Sequence, residues 1–260
     1  MPSSTTIRPE SPYRTYWLNG FMRMVSHCLQ TVLVPVVLLS CSVTWAQMHQ
    51  QIEEDFVCPL DQRPFTQNIS VSTRANGLML DMQPYGQEVD LCPLPECPGN
   101  GFVLYKDNFS AAELQSLKSL VKQASFSQQP LYYRAYLMAR QVQEPLLLQI
   151  RLLQQASWQT SGQYQQELLQ LLEQLLANTA VLSEHAHLKY LLLKVECERR
   201  LGQFTAAQRS IEAADAFPEN ARKFFLPILT CEKELIVRQA RNSSPIPNER
   251  THTACGQSIH

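Results

Sequence analysis

From residue 130 onward the chain reads as helix after helix with almost nothing between. Apolar residues recur at three- and four-residue spacing over about 130–142, 145–158, 163–177, 184–201, 203–216 and 220–240. The separators QEP (143–145), TSGQ (160–163), LGQF (201–204) and FPEN (217–220) are too short for anything but a turn. Connections that short return each helix against its predecessor as an antiparallel neighbour. One further helix opens upstream at SAAE (110–113), a capping box with Ser110 as N-cap and Glu113 reaching back. Leu114, Leu117, Leu120 and Val121 continue it at helical spacing. In QYQQELLQLLEQLL (163–176) the leucine stripe is too broad for a strict heptad seam, so it belongs in a bundle core. Only eight glycines in 260 residues, set against many Leu and Gln, agree with helix over sheet. The expected fold is mainly α, an antiparallel helical array over 110–240.

A different texture precedes it. Residues 55–109 form a small cysteine-containing segment with Cys58, Cys92 and Cys97. NISVSTR (68–74) and GLMLDMQPYG (77–86) alternate with period two, and Asn76-Gly77 offers a turn, so a β-hairpin is expected there. CPLDQRPF begins like a zinc knuckle, but Asp61 stands where the second cysteine would be. Two readings stand. Cys58, Asp61, Cys92 and Cys97 supply the four ligands a structural zinc requires. Alternatively Cys58 forms a disulfide with Cys97, or with Cys92, closing a loop of roughly forty residues worth about 3–4 kcal/mol. Further on, Cys197 and Cys231 lie 34 residues apart and are a candidate second disulfide.

The N-terminus bears on the choice. No Lys, Arg, Asp or Glu occurs between Arg23 and Glu53, and an apolar core runs from about Val32 to Leu39. Arg8, Arg14 and Arg23 precede it, and Ala46-Gln47 is a cleavage point with Thr44 three residues before the cut. That is the order of a secretory signal peptide, spanning 1–46, with residues 1–21 as an upstream extension if translation starts at Met22 or Met24. LLSC (38–41) offers a second cleavage, before a lipidated Cys41. Either way the body faces an oxidising compartment, which favours the disulfide over thiolate-bound zinc. Residues 47–54 are expected as linker. After Arg241 the polar, proline-broken NSSPIPNERTHTACGQSIH is expected to be a disordered tail over 241–260. Asn68, Asn108 and Asn242 open N-x-S sequons that are idle in a bacterial protein.

RRLGQFTAAQRSIEAADAFP (199–218) resembles the second half of a tetratricopeptide repeat, with Gly202 at the turn, then Phe204 and Ala207. Lys194 and Glu198 occupy positions of the upstream half that are usually apolar or aromatic. CPLDQRPF, CPGNGFVLYKDNFS, YRAYLMARQ, RLLQQASW and ERRLGQFTAAQ together resemble a bacterial family of unknown function. Its members open with a CPxCG zinc-ribbon-like element and continue into tetratricopeptide-like helices. The resemblance implies that architecture, in an exported CPLD variant lacking one family ligand.

A net charge of −1 with scattered Lys and Arg excludes a nucleic-acid stripe and a polybasic membrane patch. The sequence holds no Gly-rich phosphate loop, G-x-S-x-G elbow or H-E-x-x-H. The expectation is therefore a non-enzymatic interaction or scaffold module of the bacterial envelope, in the periplasm or lipid-anchored. It needs no cofactor and engages a protein or peptide partner, touching membrane only through a signal anchor or lipid. The alternative is a zinc-binding or thiol redox-responsive sensor.

Overall fold

The computed structural model describes residues 51–70, 75–86, 93–178, 182–249 and 252–257. Strands β1 (Gln51–Val57) and β2 (Pro64–Ser70) pair antiparallel, from Gln51 opposite Ser70 to Val57 opposite Pro64. Two-residue strands β3 (Gly77–Leu78) and β4 (Pro84–Tyr85) form a second small ribbon. Helices follow: α1 (Ala111–Val121), α2 (Ala124–Ser127), α3 (Leu131–Gln141), α4 (Leu146–Gln159) and α5 (Gln165–Ala177). The series continues with α6 (Glu184–Arg200), α7 (Phe204–Asp215), α8 (Glu219–Arg222) and α9 (Leu226–Val237). Helices α3 to α7 each pack on the next, and α9 packs on both α7 and α6. Among the described residues, no helix is long and apolar enough to cross a membrane.

Local chemistry sets the ends. Ser110 Oγ accepts from Glu113 N at 3.3 Å, and a Glu113 carboxylate oxygen accepts from Ser110 N at 2.6 Å, completing the capping box. Ser183 caps α6 through Ala186 N at 3.2 Å. The stretch expected as one helix over 220–240 is two, because Pro227 has no N–H to return to the carbonyl of Lys223.

The apolar interior has two parts. The first gathers Cys58, Cys97, Phe102 and Val103 from the cysteine segment with Leu117, Tyr132, Tyr136, Leu153 and Leu172 of the helices. The second gathers Leu80, Leu192, Val195, Ile211, Leu229 and Leu235. Helix α6 contributes to both, Leu193 and Cys197 to one and Leu188, Leu192 and Val195 to the other. The cysteine segment therefore shares a core with the helices, and both belong to one compact unit.

Three expectations need correction. The hairpin lies earlier than predicted: β1 begins inside the expected linker, and Cys58 sits at the hairpin tip rather than ahead of it. The run 77–86 folds on itself instead. Asp81 Oδ1 accepts from Gln83 N at 3.0 Å, Met79 N donates to Gln83 O at 2.8 Å, and Met82 takes φ +66°. Second, the described part of the tail is ordered. Leu80 N donates to Ser244 O at 2.9 Å, Ile246 N donates to Leu78 O at 2.8 Å, and Ser244 is fully buried. Third, Cys231 bonds to Cys255 of that tail, leaving Cys197 a free, buried thiol. Adjacent helix axes stand roughly 8–10 Å apart, beyond the roughly 7 Å Cα separation a disulfide tolerates. The tail brings Cys255 to a Cα separation of 5.4 Å instead.

Candidate functional site

Two turns of the same construction face each other. In the first, Cys58 N donates to Arg63 O and Gln62 N returns to Cys58 O, both at 2.9 Å. In the second, Cys97 N donates to Phe102 O at 2.8 Å and Gly101 N returns to Cys97 O at 3.2 Å. Each cysteine thus accepts from the fourth residue on and donates to the fifth. Both turns need left-handed backbone, at Gln62 (φ +60°) and at Gly99 and Gly101 (φ +89° and +70°).

Equivalent positions meet across the gap. The two cysteines form a disulfide. The residues three further on are Asp61 and Asn100, and Asn100 Nδ2 donates to Asp61 Oδ2 at 3.4 Å. The same amide lies 3.5 Å from Cys58 Sγ, and Asp61 Oδ1 accepts from Arg63 N at 3.2 Å. These four positions have the layout of paired metal knuckles. Here they hold a disulfide and an amide–carboxylate contact in place of four ligands.

The predicted zinc set is accordingly not assembled. Cys58 and Cys97 bind each other, Asp61 turns to Asn100 and Arg63, and Cys92 lies outside the described residues. Cys41, Ala46 and Gln47 also lie outside them. The histidines of His185-x-His187 diverge, one ring packing on Phe225 at 4.7 Å and the other on Phe217 at 5.0 Å.

An ion pair fixes the second turn to the helices. Arg134 of α3, almost wholly buried, donates to both Glu96 carboxylate oxygens at 2.7 and 2.8 Å and to Gly101 O at 3.0 Å. A Cβ at position 101 would stand 2.8 Å from Arg134 Nη1, so the approach requires glycine. Nearby, Lys106 bridges Glu113 and Glu144, and its hydrogen bond to Glu113, joined by those from Ser110, holds that carboxyl down to about 2.

Between the turns and the first helices lies a cleft of about 780 Å³. Leu60, Asn100 and Gly101 form one wall and Lys118, Val121 and Lys122 of the α1 end the other. Glu96 also lines it, but its charge is paired with Arg134. The two lysines are exposed and have no ion-pair partner among the described residues, so the cleft's electrostatics favour an anionic occupant. The volume falls in the range of roughly 300–1,000 Å³ that ligand and peptide sites occupy.

Asn100, the Arg134–Glu96 pair and Cys255 are residues that sequence reasoning passed over. A signal existed for the first: CPLD and CPGN repeat the pattern C-P-x-Asp/Asn at 58–61 and 97–100. Searching for a second cysteine in the first knuckle hid the fact that the second knuckle had lost its own. No protein-family model, curated protein or solved structure matches the chain.

Proposed function

We propose that this chain is an exported, non-catalytic interaction module of the bacterial envelope, a helical array that holds an acidic protein or peptide segment in the cleft beside its stapled turns. The observation that carries the reading is the pair of disulfides. They join residues 39 and 24 positions apart: Cys58–Cys97 ties two turns of the cysteine segment to each other, and Cys231–Cys255 ties the tail onto α9. Disulfides of this kind persist in oxidising compartments, where a thiolate zinc site would be oxidised. The apolar, charge-poor stretch between Arg23 and Glu53 supports the same address. Fixed loops on a rigid scaffold suit recognition, and the positive cleft favours carboxylate-bearing partners.

The test places a photo-crosslinking residue at Lys122 in the natively exported protein, with a control at exposed Glu212 on α7. The reading expects a partner captured from Lys122 only, and lost when Lys118 is changed to Glu in the same chain. Equal capture from both positions, or none from Lys122, overturns it.

A further inference from the structure

Helix α6 carries charge into the centre of the molecule. Glu196 and Arg199 are fully buried, as is Glu232 of α9, and Glu198 is nearly so. Arg199 donates to Glu196, to Glu232 Oε2 at 2.9 Å, and to the carbonyls of Ala240 and Asn242 at 2.6 and 3.1 Å. The other facing groups are paired. Arg200 of α6 meets Asp81 of the β3–β4 turn at 3.1 Å, and Lys194 meets Glu198 and Ser210 of α7. Gln154 of α4, Gln165 of α5 and the Cys197 thiol are neutral; Glu173 and Arg209 flank Lys194 at the solvent edge. Four carboxyls (Asp81, Glu196, Glu198, Glu232) thus meet three cations (Lys194, Arg199, Arg200).

The surplus has a location. Glu196 Oε1, Glu198 Oε2 and Glu232 Oε1 have no donor among the described residues; Glu198 is held by Lys194, whereas Glu196 and Glu232 are brought together on the one guanidinium of Arg199. Two carboxylates cannot donate, whereas one proton between them satisfies both oxygens and removes the surplus charge. We propose that Glu196 and Glu232 share one proton, and that this proton latches the described C-terminal strap, residues 240–249 and 252–256, onto α6 and α9. Arg199 is the link: it holds the carboxyl pair with one part of its guanidinium and the strap's first carbonyls with another. Burial, with the Glu196 charge behind it, pushes the Glu232 carboxyl well above the ordinary range, as that sharing requires. Because the folded pair binds the proton more tightly than the unfolded chain, the latch is tightest in mild acid and loosens as pH rises through the folded value.

Two readouts test this. Infrared difference spectra of the intact protein at neutral pH should show a protonated carboxyl band that Glu232→Gln removes. Hydrogen exchange should give Ile246 and Gly256 amide protection factors at least about tenfold higher near pH 5.5 than near pH 8, one pKa unit's worth. Glu232→Gln supplies a permanent N–H, so its protection should be high at both pH values, and Asp81→Asn should leave the pH difference in place. Should Glu232→Gln fail to fold, Glu196→Gln serves the same comparison. Absence of the band in the wild-type protein, or protection equal at both pH values, overturns the proposal.

Discussion

Helices α3, α6 and α9 close with one hydrogen-bond pattern but different residues at its strained position. Gly202 (φ +76°), Gln143 (φ +57°) and Gln239 (φ +52°) each take left-handed backbone. The following amide then reaches back five residues: Gln203 to Glu198 at 2.8 Å, and Glu144 to Ala139 and Ala240 to Leu235 at 2.9 Å. Left-handed backbone costs a side-chain-bearing residue about 1–2 kcal/mol. Gln143→Gly is therefore expected to raise the unfolding free energy by about 1 kcal/mol in urea titration. Gly202→Ala should lower it by at least as much, since its Cβ would also press on the Arg241 guanidinium. Asp81 has a pH signature. Burial first, and the Glu196 charge second, push its carboxyl up to about 6. It holds its proton more tightly folded than unfolded, so its contribution to stability is lost as pH rises from about 4 through about 6. Thermal melts of Asp81→Asn should show a smaller decline over that window than the wild-type protein. Ser110 and Gly202 were legible in the sequence because their roles are local. Gln143 and Gln239 were not, since glutamine gives no signal for a left-handed cap. The depth of Glu196, Arg199 and Glu232 depends on which helices flank α6, which no single segment records.

The helices were readable as elements and the strands were not. The 3.6-residue period over three or more turns outweighs boundary errors. A hairpin of seven-residue strands is pinned instead by its turn, and the turn at Cys58–Arg63 is closed by a cysteine backbone that resembled a metal knuckle. The alternation in 77–86 suited a strand equally well. It lost to the Asp81 turn and to the contact of Gly77 with the Tyr85 ring, where a Cβ would stand 2.6 Å from the hydroxyl. The tail's composition is that of disorder, while its order comes from Cys255, from Ser244 pairing with Leu80 and from Ile246 pairing with Leu78 of β3. Removing that bridge with Cys231→Ser and Cys255→Ser should cost about 3.5 kcal/mol by the loop-entropy relation, measured by denaturant unfolding. The facing turns give a further expectation. If positions 61 and 100 are ligand positions in all but residue type, Asp61→Cys with Asn100→Cys should bind one zinc per chain under reducing conditions. The single Asp61→Cys variant should bind far more weakly.

Across the molecule, two cores share α6; Cys58–Cys97 joins two non-helical turns within the first, and Cys231–Cys255 ties the tail to α9 beside the second. This arrangement explains why the cysteine segment is not a separable cap. Its Phe102 and Val103 are as buried as any helix residue, and Arg134 of α3 passes into its second turn. It also gives the proposed cleft a tied wall, because Gly101 O accepts from Arg134, Gly101 N donates to the bridged Cys97, and Asn100 reaches Asp61. The mainly helical array was legible in advance; the bridging by α6 and the strap was not, because it joins residues more than a hundred positions apart, as Asp81 and Arg200 do. The whole picture rests on which sulfurs are joined. Peptide mapping of the full-length protein, isolated from its native source under non-reducing conditions, reads that out. The expected result is two linked peptide pairs, Cys58 with Cys97 and Cys231 with Cys255, with Cys197 recovered as a thiol. Recovery of Cys58 and Cys97 as thiols holding stoichiometric zinc, or of a Cys197–Cys231 bridge, would contradict it.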